Sequence, residues 1–564
     1  MASTPEDQAI DDRTLTGGLS RRTLLGRAAA IGLAPAVTTV IGAPERATAA
    51  APAAARQADA KPLVVAMNGS PSDLDPHSAY DYRSAIAVRG PYEGLIALTA
   101  DKTDEYVGVL AERWEANADK SVWTFHLRSG VTFHDGSPCD AEAVRASFER
   151  FLTMGLGPSG AIRRFLSDPK QITAPDAQTV VFSLGKPQPL FEAEMSSQYG
   201  PLVLNVKKVM EQETDDDQGH AWAQINEEGL GTGPYRITEY SPEQQVVMER
   251  YDEYWGGWEG EHVDQVVLRI VSENSTRQQL VEAGDADIVD NLTPEALVTL
   301  QENPDLVIDR SYSAEVDYIM LTVAGPLTSP EARQAMCYAF PYDEVINGVY
   351  KGFGKRAVGG VAETVQGFDE KTFSYTTDLA KAKELFAAAG VTEGTTVTLT
   401  QESGDENVKT AVQLFQANLA EIGIQLEIDT VDLSTFTSII FGDAPADERP
   451  LAMPWFWWPD YNDAWNHLYP QISCDQQGSA GTNGGFYCND KVEALLKQSR
   501  DEPDQTTYQA ALSQIQQIIT KDDPAAIYYM QRQWTTVLRK GIQGFVFNPI
   551  NIGTFDFYRL SRGA

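Results

Sequence analysis

One segment of the chain, 454–469, concentrates aromatic rings around two carboxylates. Its sequence is Pro-Trp-Phe-Trp-Trp-Pro-Asp-Tyr-Asn-Asp-Ala-Trp-Asn-His-Leu-Tyr, and it holds four of the ten tryptophans of the chain. Wide apolar rings beside carboxylates are costly to bury in a core, whereas they suit a cleft that encloses an organic cation. The segment therefore predicts a ligand-binding wall, with Asp460 and Asp463 as candidate partners for an ammonium group.

Length and charge narrow the class of protein. A chain of 564 residues exceeds one hydrophobic core, so at least two lobes are expected. Its 80 acidic and 44 basic side chains give a formal net charge of −36, which argues against nucleic acid or anionic lipid as the main partner. The acidity favours solubility first, and it is also compatible with a cationic or zwitterionic ligand.

The N-terminus predicts export. Residues 20–25, Ser-Arg-Arg-Thr-Leu-Leu, precede an uncharged, Ala-rich stretch at 28–44, and this arrangement is typical of a twin-arginine signal peptide. The triplet Ala-Thr-Ala at 47–49 offers a cleavage pattern, so we expect a signal peptide over 1–49 and a flexible tether over 50–60. The protein would then act in the periplasm or on the outer face of the cell envelope.

Four cysteines complete the chemical inventory, and none lies in the leader, so no lipid-anchor cysteine is expected. Cys474 and Cys488 flank a loop rich in Gly, Ser and Asn, where a disulfide would contribute about 3 kcal/mol. Cys139 and Cys337 are interpreted as small buried hydrophobic residues. No metal site or cofactor is predicted, because no third histidine lies near the two histidines at 126 and 134 in the sequence.

Periodicity in the first half predicts mixed α and β elements. Apolar residues alternate over 123–127, which indicates a strand, and Val131 and Phe133 would continue it as a hairpin. Asp140 is placed to cap a following helix, whose apolar positions lie three or four residues apart.

The second half repeats a different unit. Ser329 and Pro330 open one helix, while helices over 378–389 and 408–422 are each followed by a glycine. Alternating apolar residues resume after the second glycine. Helix, tight turn and strand form the repeating unit of an α/β lobe, so the fold class is α/β.

A series of short segments follows the leader in a specific order. It comprises Leu74-Asp75-Pro76-His77, Tyr92-Glu93-Gly94-Leu95, Leu110-Ala111-Glu112, Trp123-Thr124-Phe125-His126-Leu127-Arg128, Phe133-His134-Asp135-Gly136, Gly231-Thr232-Gly233-Pro234-Tyr235, Tyr254-Trp255-Gly256-Gly257 and Arg333-Gln334-Ala335. Together these segments resemble the extracellular solute-binding proteins of ATP-binding-cassette importers, in the class that takes up peptides and nickel.

The resemblance implies a two-lobed fold of the type II periplasmic-binding-protein kind, with a hinge and a ligand cleft between the lobes. Lobe I would comprise 61–305, enlarged by an extra subdomain at about 95–225, together with a C-terminal return at 529–564. Lobe II would comprise 306–528. The resemblance further implies a monomer that closes around a small molecule or peptide, docks on a membrane permease, and catalyses no reaction.

Within the resemblance, 454–469 matches the stretch that supplies an aspartate for the N-terminal ammonium of a peptide, and Asp460 occupies the matching position. Its neighbours in the candidate site are Trp457, Trp458, Tyr461, Asp463 and Trp465. By the same match, Tyr80, Asp81 and Tyr82 fall where the first lobe offers backbone groups to an extended peptide.

Three alternatives stay open. Trp458 and Pro459 are bulkier or stiffer than the small residues expected beside a peptide backbone, and proline has no N–H to donate. The same receptor class could therefore bind an oligosaccharide, an opine-like compound or another organic solute. The tryptophans could equally belong to a core, and Asp463 could cap a local turn. A secreted hydrolase is a minor alternative, although the sequence contains no Gly-x-Ser-x-Gly, phosphate-binding or His-Glu-x-x-His motif.

Overall fold

A computed structural model of the chain describes residues 61–214, 216–225 and 229–563. The predicted signal peptide and tether lie outside the described residues. The described part belongs to one compact unit, Asp59–Ala564. In that part, no helix is long and apolar enough to cross a membrane.

The strands of the described residues are β1 Leu63–Met67, β2 Ile96–Leu98, β3 Tyr106–Gly108, β4 Ala111–Ala116, β5 Val122–Leu127, β6 Ile172–Asp176, β7 Thr179–Ser183, β8 Tyr235–Ser241, β9 Gln245–Arg250, β10 Gln265–Ile270, β11 Ile288–Asp290, β12 Leu306–Leu321, β13 Gly354–Arg356, β14 Thr396–Glu402, β15 Gln425–Val431, β16 Ala452–Trp457, β17 Ala526–Arg539, β18 Ile542–Gln543 and β19 Ser561–Arg562.

The α-helices are α1 Tyr82–Val88, α2 Ala141–Met154, α3 Ser159–Ile162, α4 Phe191–Glu194, α5 Val206–Met210, α6 His220–Ala223, α7 Asn274–Ala283, α8 Pro294–Leu300, α9 Pro330–Ala339, α10 Leu379–Ala388, α11 Glu406–Glu421, α12 Leu433–Ile440, α13 Ala464–Ile472, α14 Asp490–Arg500 and α15 Gln505–Gln517. The mixed composition confirms the predicted α/β class.

An eleven-stranded sheet runs through the molecule in the order β15-β14-β16-β12-β17-β11-β1-β10-β9-β8, with β13 paired to β17. Two long antiparallel strands, β12 and β17, occupy its middle. The last residues of β12 pair with β16, while the last residues of β17 pair with β11. These two strands therefore connect the strands of the N-terminal half with β14, β15 and β16 of the second half.

A second, four-stranded antiparallel sheet has the order β4-β5-β7-β6. The predicted strand at 123–127 is confirmed as β5, whose apolar residues are buried. The predicted hairpin partner is wrong: β5 pairs with β4 and β7, and Val131 and Phe133 flank an isolated bridge between Thr132 and Pro138. Val131 and Phe133 are nevertheless buried in the same core as the strand, which explains why their alternation continues.

Capping residues set the helix boundaries as predicted. The Asp140 side chain accepts a hydrogen bond from the backbone N–H of Ala143 and begins α2, and Ser329 begins α9 in the same way. Helix α11 begins two residues earlier than predicted, because the Asp405 carboxylate caps it. Gly423 ends this region with φ +88°, a conformation that glycine adopts without strain, and β15 follows.

The predicted disulfide is confirmed. Cys474 and Cys488 are bonded, with their Cα atoms 4.8 Å apart. They close the loop between α13 and α14. Cys139 and Cys337 are free and buried, as predicted.

Candidate ligand-binding site

Asp460 lies in the loop that joins β16 to α13. Its carboxylate is only 6 % exposed, yet it takes part in none of the ion pairs among the described residues. Its Oδ1 accepts a hydrogen bond from the Tyr80 hydroxyl at 2.7 Å, and its Oδ2 accepts one from the Asn466 amide at 3.3 Å. Burial raises the pKa of Asp460, while Tyr80, Arg164 and Asn466 counter the rise.

The hydrogen bond from Tyr80 joins two parts of the chain that are 380 positions apart. Tyr80 remains 40 % exposed, and the edge of its ring meets the Tyr199 ring at 5.1 Å. The neighbouring Ser197 hydroxyl donates a hydrogen bond to the backbone carbonyl of Asp460 at 2.8 Å. The loop that carries Asp460 is therefore fixed against the segment around Ser197.

Tyr199 is the centre of this arrangement. Burial raises the pKa of its hydroxyl, the carboxylates of Asp81 and Asp460 add to the rise, and the side chains of Trp458 and Gln198 oppose it. Three of the predicted residues, Asp81, Trp458 and Asp460, thus affect the pKa of a tyrosine that the sequence analysis missed. Nothing in the local sequence marks Tyr199, because its polar neighbours read as an ordinary loop.

Asp81 and Tyr82 have defined structural contacts of their own. The Asp81 carboxylate caps α1 by accepting hydrogen bonds from the N–H groups of Arg83 and Ser84 at 2.9 and 3.1 Å. The Tyr82 hydroxyl donates to the Asn68 side chain, and its ring meets Trp534 edge-on at 5.3 Å. The contacts of Tyr82 therefore differ from those of Tyr80.

Asp463 is fully buried and is the N-cap of α13. Its Oδ1 accepts hydrogen bonds from the backbone N–H of Trp465 at 2.7 Å and from the Tyr508 hydroxyl. Burial raises the pKa of Asp463 to about 7, against the lowering effect of these donors. Its position agrees with the turn-capping interpretation that the sequence left open.

Two of the predicted aromatic residues lie in hydrophobic cores. Trp465 is buried with α14 and α15, and its indole N–H donates to the Leu496 carbonyl at 3.0 Å. Tyr461 is buried in the core of the four-stranded sheet, where its ring packs against Phe165. These two side chains fix the chain that follows Asp460 to two different cores.

The remaining rings form a partly exposed stack. Trp455, Phe456 and Trp458 follow one another with ring centroids 5.2 and 5.5 Å apart and nearly parallel planes. Phe456 is 36 % exposed. Trp457 is half-buried against the core that contains Trp465. The stack gives one side of the segment a flat apolar surface.

Each of the two histidines considered as metal ligands has a contact within the fold. His126 lies 3.6 Å from the Glu115 carboxylate. The Nε2 atom of His134 lies 2.8 Å from the Gly233 carbonyl oxygen, which ties the four-stranded sheet to the turn before β8. Within the described ranges, no group of three or more His, Cys, Asp or Glu residues is arranged to hold a metal ion.

Comparisons with known proteins agree with this architecture. The model of the bacterial extracellular solute-binding proteins, family 5 middle region, matches residues 105–479. The chain is 28 % identical over 504 residues to a probable D,D-dipeptide-binding periplasmic protein of Escherichia coli, covering 89 % of this chain and 94 % of that protein. It is also 28 % identical over 547 residues to di/tripeptide-binding protein 1 of Pseudomonas aeruginosa, covering 91 % and 97 %.

A solved structure shares the fold. The periplasmic binding protein DppA of Helicobacter pylori, in complex with the peptide STSA, superposes with a TM-score of 0.77 at 25 % identity, covering 89 % of this chain and 98 % of that chain. The architecture is that of a two-lobed type II periplasmic binding protein. The chain belongs to family 5 of the bacterial extracellular solute-binding proteins.

Proposed function

We propose that the protein is the extracytoplasmic substrate-binding subunit of an ATP-binding-cassette importer, that it binds a short peptide, and that Asp460 pairs with the ammonium group of that ligand. The observation that carries the proposal is a buried carboxylate with hydrogen-bond donors but no cation in ion-pair contact among the described residues. A buried carboxylate is stabilised strongly by a charge-assisted hydrogen bond, which an ammonium supplies. The peptide-binding names of the relatives support this ligand class.

The proposed lobes meet at β12 and β17. The pairing of these strands is interrupted between Tyr312 and Val316. At this interruption Arg532 of β17 lies 2.8 Å from Asp317 and 3.3 Å from Glu315, and both carboxylates are buried. The buried charges fix the register of the crossing strands. Lobes 61–305 with 529–564, and 306–528, would close around the ligand by bending beside this cluster and then dock on the permease.

The aromatic stack favours a second candidate within the same class. Flat, partly exposed rings bind the faces of sugars and other organic rings as well as peptide side chains. The stack at Trp455, Phe456 and Trp458 would therefore suit an oligosaccharide or an opine-like solute. Members of this family bind and release their solutes, so a hydrolytic activity is not proposed.

Calorimetry of the purified protein with peptides of two to four residues tests the proposal. Each peptide is offered with a free amine and with an acetylated amine. The Asp460→Asn variant should bind the free-amine peptides about 100-fold more weakly, which corresponds to about 3 kcal/mol, because a buried hydrogen-bonded charge pair is lost. Acetylated peptides should bind weakly to both proteins.

Asp252→Asn is the matched control, since its side chain is 76 % exposed and lies outside the site. This variant should keep the wild-type affinity. Equal affinity of Asp460→Asn and wild type for every free-amine peptide would refute the role of Asp460. If the protein binds oligosaccharides but no peptides, the proposed peptide ligand is refuted and the proposed receptor class stands.

A further inference from the structure

One ion pair joins the subdomain of the proposed lobe I to the proposed lobe II. The Nζ atom of Lys186, a residue that follows β7, lies 2.9 Å from Oδ1 of Asp501, the residue after α14. The two residues are 315 positions apart in the chain. Their side chains are 40 % and 37 % exposed, so the pair lies at the surface, where water and salt reach it.

Other contacts join the same two parts of the chain. The side chains of Tyr106 and Leu190 in the subdomain pack against both the core of the four-stranded sheet and the core that contains α13, α14 and α15. The side-chain amide of Asn462 donates a hydrogen bond to the backbone carbonyl of Thr103 at 2.5 Å. These contacts and the ion pair separate when the two lobes move apart, so they belong to the closed arrangement of the lobes.

The charge of the two lobes gives the ion pair a role in closure. Both proposed lobes carry more acidic than basic side chains, within a formal net charge of −36 for the chain. Like charges repel one another as the lobes approach, and this repulsion opposes closure. Lys186 brings a positive charge to a carboxylate of the other lobe and offsets part of the repulsion. Arg500 contacts the Asp501 carboxylate at 3.2 Å from within lobe II, so Lys186 is the partner that closure adds.

We propose that the ion pair of Lys186 and Asp501 stabilises the closed arrangement of the lobes and thereby raises the affinity for every ligand by the same factor. The proposal rests on the function proposed above, because it takes the closure of two lobes around a solute as given. Neither residue is among the contacts of Asp460. A contact that exists only in the closed form adds its free energy to binding, whichever ligand the cleft holds.

A double-mutant cycle measured by calorimetry tests the ion pair. Wild type, Lys186→Gln, Asp501→Asn and the double variant are each titrated with the peptides Ala-Ala-Ala and Leu-Ala-Ala. Lys186→Gln should bind both peptides about 2- to 5-fold more weakly, and by the same factor, because an exposed ion pair contributes about this much. In the Asp501→Asn protein, the addition of Lys186→Gln should cause no further loss of affinity. The coupling between the two substitutions should shrink in about 1 M NaCl, where the screening length is about 3 Å.

Lys381→Gln is the matched control. Lys381 and Glu384 form an ion pair of the same length, 2.9 Å, and the lysine is 39 % exposed, but both residues lie in α10 within the proposed lobe II. This variant should bind both peptides with wild-type affinity. Small-angle X-ray scattering adds a measurement that needs no ligand: Lys186→Gln should have a larger radius of gyration than wild type and Lys381→Gln, because a smaller fraction of its molecules is closed.

Three outcomes would overturn the role of the ion pair. Equal affinities of Lys186→Gln and wild type would exclude a contribution to closure. A loss of affinity that persists in the Asp501→Asn protein would show that Lys186 acts through another group. A loss that differs between the two peptides would show a direct contact with the ligand.

The same measurements separate this proposal from the function proposed above. If Asp460→Asn binds free-amine peptides as wild type does while Lys186→Gln binds them more weakly, the ammonium site is refuted and the role of the ion pair stands. If neither peptide binds, the peptide ligand is refuted, and the radius of gyration decides on the ion pair: equal values for Lys186→Gln and wild type refute it.

Discussion

Asp463→Asn should change the pH dependence of stability without changing ligand affinity. Burial raises the pKa of Asp463 from 3.8 to about 7 in the folded protein. Because this folded-state pKa lies above the unfolded value, the folded protein retains a proton that the unfolded chain releases between pH 4 and 7. The free energy of unfolding therefore falls as pH rises through this window, by about 3 to 4 kcal/mol for this group. Asparagine can still cap α13 and carries no proton to lose.

Urea unfolding at pH 5, 6, 7 and 8 measures the effect. The difference between Asp463→Asn and wild type should grow in favour of the variant as pH rises, while other buried groups titrate alike in both proteins and cancel. Asp432→Asn, which removes the exposed capping carboxylate of α12, should run parallel to wild type over the same range. If the free energies of unfolding of Asp463→Asn and wild type change with pH in parallel, the reasoning is refuted. If Asp463→Asn binds peptides more weakly than wild type, Asp463 belongs to the binding site.

Three further variants test the fold. Arg150→Met should lower the free energy of unfolding by about 3 kcal/mol in urea titrations, because the buried Asp75 carboxylate loses the guanidinium 2.6 Å away and keeps only the partly exposed His220 as an ion-pair partner; a cost below about 1 kcal/mol would contradict this. Replacing Cys474 and Cys488 by serine should cost about 3 kcal/mol, seen as a lower Tm that reductant no longer shifts; an unchanged Tm would argue against the loop-closure account. Gly200→Ala should lower both Tm and peptide affinity, because this glycine has φ +94° and an added Cβ would lie 2.3 Å from a phenylalanine ring atom beside the site; wild-type values would show that the segment can shift.

Local chemistry explains which elements the sequence could predict. Helices α2, α9 and α10 follow capping residues and contain apolar positions at helical spacing, so both signals lie within one turn of the boundary. Strand β12 gave no such signal. Its sixteen residues include charged side chains, and they are extended because β17, more than 200 positions away, pairs with them.

Some residues of the candidate site could be predicted from the sequence, and others could not. Asp460 and Tyr80 could be singled out with the help of the family resemblance, whereas the contact between them and the hydrogen bond from Ser197 are brought about only by the fold. Tyr199 could not be identified, since a tyrosine in a short loop has the same sequence signature whether it is solvated or buried. Its burial is a property of the folded chain alone.

The two carboxylates of 454–469 have different roles in the proposal: Asp463 caps a helix, and Asp460 is the candidate partner for the ligand. Asp463 directs its oxygen to the first turn of α13, which packs Trp465 into one core, and Tyr461 enters another core on the opposite side. Asp460 lies between the end of β16 at Trp457 and the buried Tyr461, so it is held in place before a ligand arrives. Such preorganisation reduces the ordering cost of binding. It follows that removing an anchoring ring, as in Tyr461→Ala or Trp465→Ala, should weaken ligand binding through the loop, whereas Asp463→Asn keeps the cap of α13 and should not.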